Sequence, residues 1–340
     1  MKKNYQIPTE VDQWIQAQMD EWDLSPKKLA SAIQLLSDYF VFNQGAHTPW
    51  SDLSTGAAYF TYYFPLNLVR AQSLVHEAQR LNFFEGLEEV FDFGAGLGSA
   101  SLALDYANVN LKYNLIESSN VPQAWAEKSP LAFYKKAVWG QEIKASQLKQ
   151  APRSLGLFSY SLIEQKDVPE WLFDFEALML IEPSTQTAGR KLLELRSVLI
   201  ERGYEIWAPC LHQNACPLIA NSKTDWCHHR LGFEAPQLLE GIETYLPMKN
   251  KTLTYSYLLA RKKKSGRSYS NLTARVIGDP LYEKGKTRQM ICRSSEREFL
   301  SVLDIENLDM NLDRGDIIEI PSEALHKGTE LRIKSAPQVL

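Results

Sequence analysis

The chain has 340 residues, of which 44% are hydrophobic and 23% are charged, and its formal net charge is −4 at pH 7. Such a balance is typical of a globular protein with a sizeable core, and the length suits one enlarged domain or two domains. The net charge excludes a global attraction to nucleic acid, so any RNA binding must come from local basic patches. No apolar run approaches the roughly 20 residues of a membrane-spanning helix, and the N-terminus has no signal-peptide core. We therefore expect a cytoplasmic, monomeric protein outside the membrane.

Residues 8–43 predict two helices. Thr9 is the expected cap of the first helix, and Ser25-Pro26 is a cap followed by a proline at the first helical position of the second. An aromatic cluster at residues 59–64 precedes a further helix that is expected to begin after Pro65. Core packing is the favoured interpretation of the cluster, because a substrate-gripping surface would need exposed rings.

Between residues 88 and 262 predicted strands alternate with predicted helices, which is typical of a doubly wound α/β sheet. The strands are expected near residues 88–93, 111–117, 133–139, 155–161, 177–182, 203–208 and 253–260, and the helices near 99–107, 121–127, 168–174 and 185–200. We expect the last two strands to form an antiparallel edge, separated by an insertion that holds three of the four cysteines.

The first of these strands ends in a glycine-rich turn of the form D-x-G-x-G-x-G, made by Asp92, Gly94, Gly96 and Gly98. A strand, a glycine turn and a helix in this order hold a nucleotide-like ligand. The first glycine makes the tight turn, the second lets the backbone approach the ligand, and the third lets the helix pack on the strand. Glu117 ends the next apolar run, at about the twenty-residue distance expected of a ribose-binding carboxylate.

This turn resembles motif I of class I S-adenosylmethionine (SAM) methyltransferases, since the sixth-position glycine of dinucleotide folds is missing. The resemblance implies that Gly94, Gly96 and Gly98 contact the methionine and adenosine parts of SAM and that Glu117 bonds the ribose hydroxyls. Asp92 stands two residues before the first glycine and joins this predicted cofactor-binding set. NAD binding and a ligand-free turn are the alternatives.

The segment after the fourth strand holds the candidate catalytic residues, Tyr160 and Glu164. Methyltransferases of this class place groups that face the methyl acceptor at this position, although ordinary turn residues are an equal alternative. Ser184, which follows Glu182-Pro183 at the end of the fifth strand, is a candidate pocket residue. The chain has no N-P-P-Y or D-P-P-Y motif, so the sequence does not argue for amino-group methylation of a base.

The four cysteines of the chain are Cys210, Cys216, Cys227 and Cys292. Structural disulfides are not expected in a cytoplasmic protein, so these residues are either inert thiols or a metal site. A Cys-Pro pair such as Cys216-Pro217 is typical of iron–sulfur loops, and the C-x2-C knuckles that zinc sites usually use are absent. His212, His228 and His229 are nonetheless possible zinc ligands, so the spacing leaves iron–sulfur and zinc both open.

The string A-P-C-L-H-Q-N-A-C-P-L at residues 208–218, followed by D-W-C-H-H at residues 225–229, is similar to the methyltransferase-like family of mitochondrial small-ribosomal-subunit assembly factors and its bacterial homologues. Other landmarks of the family occur in the same order in this chain: F-D-F-G-A-G-L-G, I-E-P, Y-S-Y-L and the arginine-flanked Cys292. The similarity therefore covers about residues 55–295. One departure is Ser184, where the family usually has glycine.

The resemblance implies a class I methyltransferase fold with a four-iron–four-sulfur cluster on Cys210, Cys216, Cys227 and Cys292. It also implies association with the RNA or proteins of the small ribosomal subunit. The fold does not settle catalysis, and our expectation is a SAM-dependent methyltransferase. Two alternatives stay open: a non-catalytic rRNA-binding assembly factor with a vestigial SAM pocket, and a zinc-stabilised small-molecule methyltransferase. We expect the cluster to join the cysteine insertion to the C-terminal part of the chain.

The basic run R-K-K-K-S-G-R at residues 261–267 follows the last strand of the predicted sheet. A solvated linker and an RNA-facing patch are both open interpretations. Short apolar runs between residues 271 and 334 predict a small β-rich appendage, with an acidic segment (304–316) that is expected to face away from nucleic acid. The expected domains are therefore a helical region (1–80), a Rossmann-like domain (81–262) with a metal-binding insertion (208–230), and a basic linker with the appendage (263–340).

Overall fold

The computed structural model describes residues 4–43, 47–143, 148, 151–162 and 167–340. The chain divides into two compact units. Unit 1 comprises Met1–Ile181 and Leu231–Leu253, and unit 2 comprises Glu182–Arg230 and Thr254–Leu340. The cysteine-bearing segment and the C-terminal appendage thus share unit 2, while the domain boundaries expected at residues 80 and 262 stay a prediction. None of the described helices combines the length and the apolar character needed to cross a bilayer.

The helices are α1 (Thr9–Trp22), α2 (Pro26–Phe42), α3 (Leu53–Ala58), α4 (Phe64–Arg80), α5 (Ser99–Tyr106), α6 (Asn120–Glu127), α7 (Gln186–Glu201), α8 (Pro217–Ala220) and α9 (Gln237–Glu243). A π-helical turn spans Tyr59–Tyr63, and 3₁₀ helices span Ala132–Lys135, Glu170–Asp174 and Asp304–Glu306.

The strands are β1 (Asn4–Gln6), β2 (Glu89–Phe93), β3 (Lys112–Ile116), β4 (Val138–Gly140), β5 (Ser154–Ser159), β6 (Ala177–Glu182), β7 (Glu205–Ala208), β8 (His229–Glu234), β9 (Thr252–Arg261), β10 (Thr273–Val276), β11 (Leu281–Glu283), β12 (Lys286–Cys292), β13 (Glu298–Leu303), β14 (Ile317–Glu319), β15 (Leu325–Lys327), β16 (Glu330–Arg332) and β17 (Gln338–Val339).

The N-terminal helices form as their apolar spacing predicts. Val11, Trp14, Ile15 and Met19 make the buried stripe of α1. At the start of α2 the Ser25 hydroxyl accepts a hydrogen bond from the Lys28 amide at 3.4 Å, so the predicted cap is confirmed. The cap predicted for α1 is wrong, because Thr9 already lies in the first turn and Pro8, which has no capping side chain, precedes it.

The aromatic cluster is core, as the sequence favoured. Phe60, Tyr62 and Phe64 are 0%, 4% and 0% exposed. The Trp14 ring of α1 meets Phe60 edge-on, with the ring centroids 4.7 Å apart. The helix expected after Pro65 begins one residue before it and continues directly from the π-helical turn. Pro65 has no amide hydrogen and so cannot donate the backbone hydrogen bond of a regular α-helix. Its position fits the wider π-helical turn that directly precedes the helix.

Unit 1 contains a parallel sheet in which the strand order is β4-β3-β2-β5-β6. If β2 to β6 are numbered one to five, their order across the sheet is 3-2-1-4-5. The chain therefore builds the sheet outward from β2 in one direction and then returns to build it in the other, and the reversal lies between β2 and β5. Phe93 lies level with Ile116 of β3 and Phe158 of β5, so these three strands end together. Ligands of doubly wound folds bind outside the carboxyl ends of the strands at such a reversal. The predicted α/β class is confirmed.

Three sequence expectations differ from the structure. The strand expected near residues 133–139 is a 3₁₀ turn followed by the short β4. The helix expected near 168–174 is only the 3₁₀ helix after Pro169, which fills the N-cap position without a side-chain acceptor. The strand β8 was not predicted, because only Leu231 and Phe233 of its six residues are buried and apolar. Tyr5 of β1 pairs in parallel with Phe233 of β8.

Unit 2 contains an antiparallel pair and a separate mixed sheet. Glu205 of β7 lies opposite Arg261 of β9, which is the antiparallel edge expected from the sequence. The mixed sheet has the order β15-β16-β13-β12-β10-β14-β17, with β11 beside β12, and Val276, Leu300 and Ile318 lie in its core. Cys292 ends β12 and pairs with Arg275 of β10. The predicted β-rich C-terminal region therefore carries the last cysteine on a regular strand.

Candidate functional site

The turn after β2 needs glycine at each of its three glycine positions. Gly94, Gly96 and Gly98 have φ angles of +61°, +52° and +68°, a region that side chains with a Cβ rarely occupy. A Cβ on Gly96 would lie 2.6 Å from the hydroxyl oxygen of Tyr59, and one on Gly94 would lie 2.7 Å from the Ser161 Cβ. The loop therefore combines a left-handed backbone with close approach, as a ligand-binding turn does.

The Glu117 carboxylate is held against this loop. Its Oε2 accepts a hydrogen bond from the Gly96 amide at 2.9 Å, and its Oε1 accepts one from the Ser119 amide at 2.9 Å. The side chain is 9% exposed. Two residues that are twenty-one positions apart are thus brought together at the carboxyl ends of β2 and β3. The amides orient the carboxylate and leave it acceptor capacity for further hydroxyl donors.

Asp92 lies in the protein core beneath the same turn. It is 1% exposed, and its Oδ2 accepts a hydrogen bond from the Ser101 hydroxyl of α5 at 2.7 Å. Burial raises the pKa of Asp92 to about 7, the Ser101 bond opposes this shift, and the nearby negative charge of Glu117 adds to it. Asp92 therefore links the strand to the helix. Sequence reasoning missed Ser101, since a serine in a small-residue helix carries no distinctive signal.

The candidate catalytic segment begins with a strained residue. Tyr160 has a φ of +63°, which is unusual for an aromatic side chain, and its amide donates to the Ile181 carbonyl at 2.8 Å. The Arg70 guanidinium lies 6.0 Å from the Tyr160 ring centroid. The Ser161 hydroxyl donates to the Phe93 carbonyl at 2.6 Å, which fixes this segment beside the glycine turn. Glu164 lies outside the described residues, so its predicted role stays a prediction.

The four cysteines come from separate places in unit 2 and meet in one group, here named the cysteine centre. Cys210 follows β7, Cys216 immediately precedes α8, Cys227 precedes β8, and Cys292 ends β12. All four are free thiols. The packing that surrounds the centre is apolar, with Leu193, Leu218 and Ile277 against Cys216, Cys227 and Cys292.

The thiols lie close enough to act on one another electrostatically. Burial, and then negative charge on Cys210 and Cys216, together raise the pKa of Cys227 to about 12. Burial likewise raises the pKa of Cys292, with added contributions from the other three thiolates. The pKa of Cys216 is raised by burial and then by Cys210. Without metal, Cys216, Cys227 and Cys292 are therefore held in the protonated form.

The candidate histidines separate into two environments. His212 Nε2 lies 3.5 Å from the Cys292 Sγ, and burial together with the Arg196 charge lowers the pKa of His212 to about 4. His228 stacks on Trp226 with the ring centroids 5.6 Å apart, and His229 meets Tyr255 edge-on. Within the described ranges, no group of three or more His, Cys, Asp or Glu side chains is arranged to hold a single metal ion.

Arginines that the sequence reasoning did not select hold the segment between Cys216 and Cys227. Arg190 of α7 donates through Nη1 to the carbonyls of Leu218, Ser222 and Asp225, at 3.4, 3.2 and 2.9 Å. The Arg297 Nε donates to Asp225 Oδ2 at 2.7 Å. The sequence does contain one pattern that marks a buried arginine on this helix. Arg196, also on α7, interrupts a stripe of leucines that are buried in the structure.

The basic run is packed on β7 at its ends. The Arg267 guanidinium lies 4.6 Å from the Trp207 ring centroid, and the Trp207 Nε1 donates to the Lys263 carbonyl at 3.2 Å. The side chains of residues 262–264 are exposed. Three exposed lysines are thus presented here, and the RNA-facing patch stays a prediction.

Comparison with known proteins links this site to a family. A family model described as mitochondrial small ribosomal subunit Rsm22 matches residues 56–303, which contain both the glycine turn and all four cysteines. No curated protein matches the chain.

Solved structures of methyltransferases are also similar. Magnesium protoporphyrin IX methyltransferase (ChlM) from Synechocystis with bound SAM is 15% identical, with 71% of this chain and 98% of that chain covered and a TM-score of 0.36. Precorrin-6y C5,15-methyltransferase from Geobacter metallireducens is 12% identical, with coverages of 55% and 87% and a TM-score of 0.35. TrmK from M. capricolum with S-adenosylhomocysteine is 11% identical, with coverages of 57% and 72% and a TM-score of 0.31.

Proposed function

Because the chain belongs to the Rsm22 family of mitochondrial small ribosomal subunit proteins, we propose that it is a SAM-binding methyltransferase that carries a four-iron–four-sulfur cluster and acts on the small ribosomal subunit or its RNA. The observation that carries the proposal is the packing of Cys216, Cys227 and Cys292 in one apolar cluster, with Cys210 close enough to act on them electrostatically. A transferase of small metabolites would have no evident use for such a centre.

The residues around the glycine turn fit SAM. Gly94, Gly96 and Gly98 leave room for close approach of a ligand to the backbone, and Glu117 presents a carboxylate that two amides orient. SAM supplies a sulfonium methyl group, which a nucleophilic atom of the RNA attacks as the carbon–sulfur bond breaks and S-adenosylhomocysteine leaves. The protein's contribution is to hold the two reactants in line. We assign the positioning of the acceptor to Tyr160, whose strained backbone lies beside the turn.

The cysteine centre fits an iron–sulfur cluster in its donor set. Cys210, Cys216, Cys227 and Cys292 would supply the four thiolates that such clusters require. Their apolar surroundings and a hydrogen-bond donor to sulfur are the usual conditions of a stable cluster. The cluster would join the segment between β7 and β8 to the end of β12, so its main role is structural.

Contact with RNA is assigned to the exposed lysines of residues 262–264, which the packing of Trp207 and Arg267 holds in place. Clustered lysines bind the phosphate backbone without base specificity, so this patch would supply affinity that falls with salt. The choice of the modified atom belongs to the region around Tyr160.

The catalytic part of the proposal is tested with methyl transfer from labelled SAM to immature small subunits. Gly96→Arg should abolish labelling, since any side chain there collides with Tyr59 and its φ is positive. Gly86→Arg is the matched control, because Gly86 also has a positive φ but no atom lies within 4 Å of its Cβ position. Labelling that persists in Gly96→Arg would remove the turn from the mechanism. Subunit binding by a wild-type protein that transfers no methyl group would identify a non-catalytic assembly factor.

The metal part is tested on protein purified without oxygen. We expect about four irons and four labile sulfides per chain, with absorption around 400 nm from sulfur-ligated iron. Cys216→Ser should lose iron and subunit binding together. Zinc in place of iron would support the zinc-stabilised alternative, and metal-free protein that binds subunits normally would contradict the proposed centre.

A further inference from the structure

Helix α7 brings a buried guanidinium into direct contact with the cysteine centre. Arg196 is 1% exposed, which is exceptional for an arginine. Its Nε donates a hydrogen bond to the Cys210 Sγ at 3.0 Å, and its Nη2 donates to the His212 carbonyl at 2.8 Å. One side chain therefore fixes both a thiol of the centre and the backbone of the segment that carries it.

In the described part of the chain Arg196 pairs with no carboxylate. Its contacts are a sulfur atom and a carbonyl oxygen, and neither carries a full negative charge when the thiols are protonated. Burying an arginine without a counter-charge is costly, so a native chain keeps one only where a negative partner repays the cost. The cysteine centre contacts Arg196 through Cys210 and becomes negative when its thiols are deprotonated.

We propose that Arg196 is a positioning residue that compensates the charge of the cysteine centre and orients Cys210 for the cluster. A cluster held by four thiolates has a net negative charge, which becomes more negative on reduction. A buried positive charge that donates to a ligand sulfur therefore stabilises the loaded centre and raises its reduction potential. This inference rests on the proposed function, because it requires a cluster at the four thiols.

A purely structural role is the competing explanation, in which Arg196 merely holds the His212 carbonyl. The two explanations differ in what happens without metal. A structural arginine stabilises loaded and metal-free protein equally. A charge-compensating arginine stabilises only the loaded protein, since in the metal-free protein the guanidinium is a buried charge facing protonated thiols.

The experiment compares Arg196→Met, which removes the charge, with Arg196→Lys, which keeps it. The control is Arg190→Met, because Arg190 lies on the same helix and holds carbonyls of the same segment but contacts no sulfur. Three quantities are measured for each anaerobically purified variant: the midpoint potential in a dithionite titration followed by electron paramagnetic resonance, the rate of iron loss to a chelator, and the melting temperatures of loaded and metal-free protein.

We expect Arg196→Met to move the midpoint potential to a more negative value and to weaken iron retention by about 10- to 100-fold. Its melting temperature should fall in the loaded protein and stay equal or rise in the metal-free protein. Arg196→Lys should restore most of the potential, and Arg190→Met should leave the potential unchanged. An unchanged potential in Arg196→Met, or equal losses of stability with and without metal, would overturn the inference. Wild-type protein that holds no iron would instead count against the proposed function.

Discussion

At the scale of single residues, Glu117 is the side chain that joins β3 to the glycine turn. Glu117→Ala leaves the amides of Gly96 and Ser119 without their acceptor. We expect a loss of about 1–3 kcal/mol in the free energy of unfolding and about 10- to 100-fold weaker SAM binding. Urea denaturation and calorimetric titration with SAM measure the two effects. Glu127→Ala in α6 is the control, because Glu127 is exposed and its only hydrogen-bond partner in the described chain is Gln123. Equal effects of the two variants on SAM binding would contradict the assigned role.

Asp92 gives the protein a specific dependence on pH. Its ordinary pKa is 3.8, and burial raises the pKa in the folded chain to about 7. The folded state therefore binds the proton more tightly than the unfolded state does. Its contribution to stability is most favourable below about pH 4, declines as the pH rises to about 7, and stays low above that value.

Asp92→Asn removes this titration and keeps an oxygen that can accept the Ser101 hydrogen bond. Relative to wild type, the variant should gain up to about 4 kcal/mol of unfolding free energy between pH 4 and pH 8. Denaturant unfolding at several pH values checks the difference between the two proteins. A difference that is the same at every pH would show that Asp92 is not held at a raised pKa.

At the scale of elements, the N-terminal helices are anchored by aromatic packing. Trp14 of α1 is 5% exposed and meets Phe60 and Phe64 edge-on. Trp14→Ala should lower the free energy of unfolding by about 3–5 kcal/mol, since it removes a large buried ring and leaves a cavity. Phe42→Ala at the end of α2 is the aromatic control, because Phe42 is 81% exposed and its loss should change stability by less than about 0.5 kcal/mol. Similar melting temperatures for both variants would show that the cluster does not hold α1.

At the scale of the whole molecule, folding of unit 2 should depend on the proposed cluster. Three of the thiols lie between residues 210 and 227, and the fourth ends β12. Metal removal leaves buried thiols with no bridge between these segments. We expect limited proteolysis of the metal-free protein to cut first within residues 208–230, while fragments of unit 1 persist.

Cys210→Ser and Cys292→Ser should reproduce this cleavage pattern to the same extent, because each would remove one ligand of the proposed cluster. Lys223→Ala is the control, since Lys223 lies in the same segment with an exposed side chain and contributes no thiol. Normal resistance of Cys292→Ser, with Cys210→Ser cleaved, would show that the two cysteines do not serve one metal group.

Sequence patterns predicted those parts of the site that depend on residues close together in the chain. The D-x-G-x-G-x-G turn specifies a strand end, left-handed backbone and a helix start within a few residues, so β2, α5 and the loop between them were predictable. The distance along the chain from the turn to Glu117 follows from one helix and one strand, and the structure brings Gly96 and Glu117 together. Strands with few buried residues, such as β8, escaped prediction because burial depends on partners elsewhere in the chain.

The sequence by itself determined the α/β class, the cofactor turn and the identity of the four thiols, because these depend on residue type and short-range spacing. Family similarity, and not spacing, assigned the thiols to one ligand set. Only the tertiary structure decided that Cys292 joins the other three, and that Arg196 faces Cys210 while Ser101 faces Asp92. The physical reason is that such contacts depend on how β7, α7 and β12 pack, and packing among distant segments leaves no periodic trace in the chain.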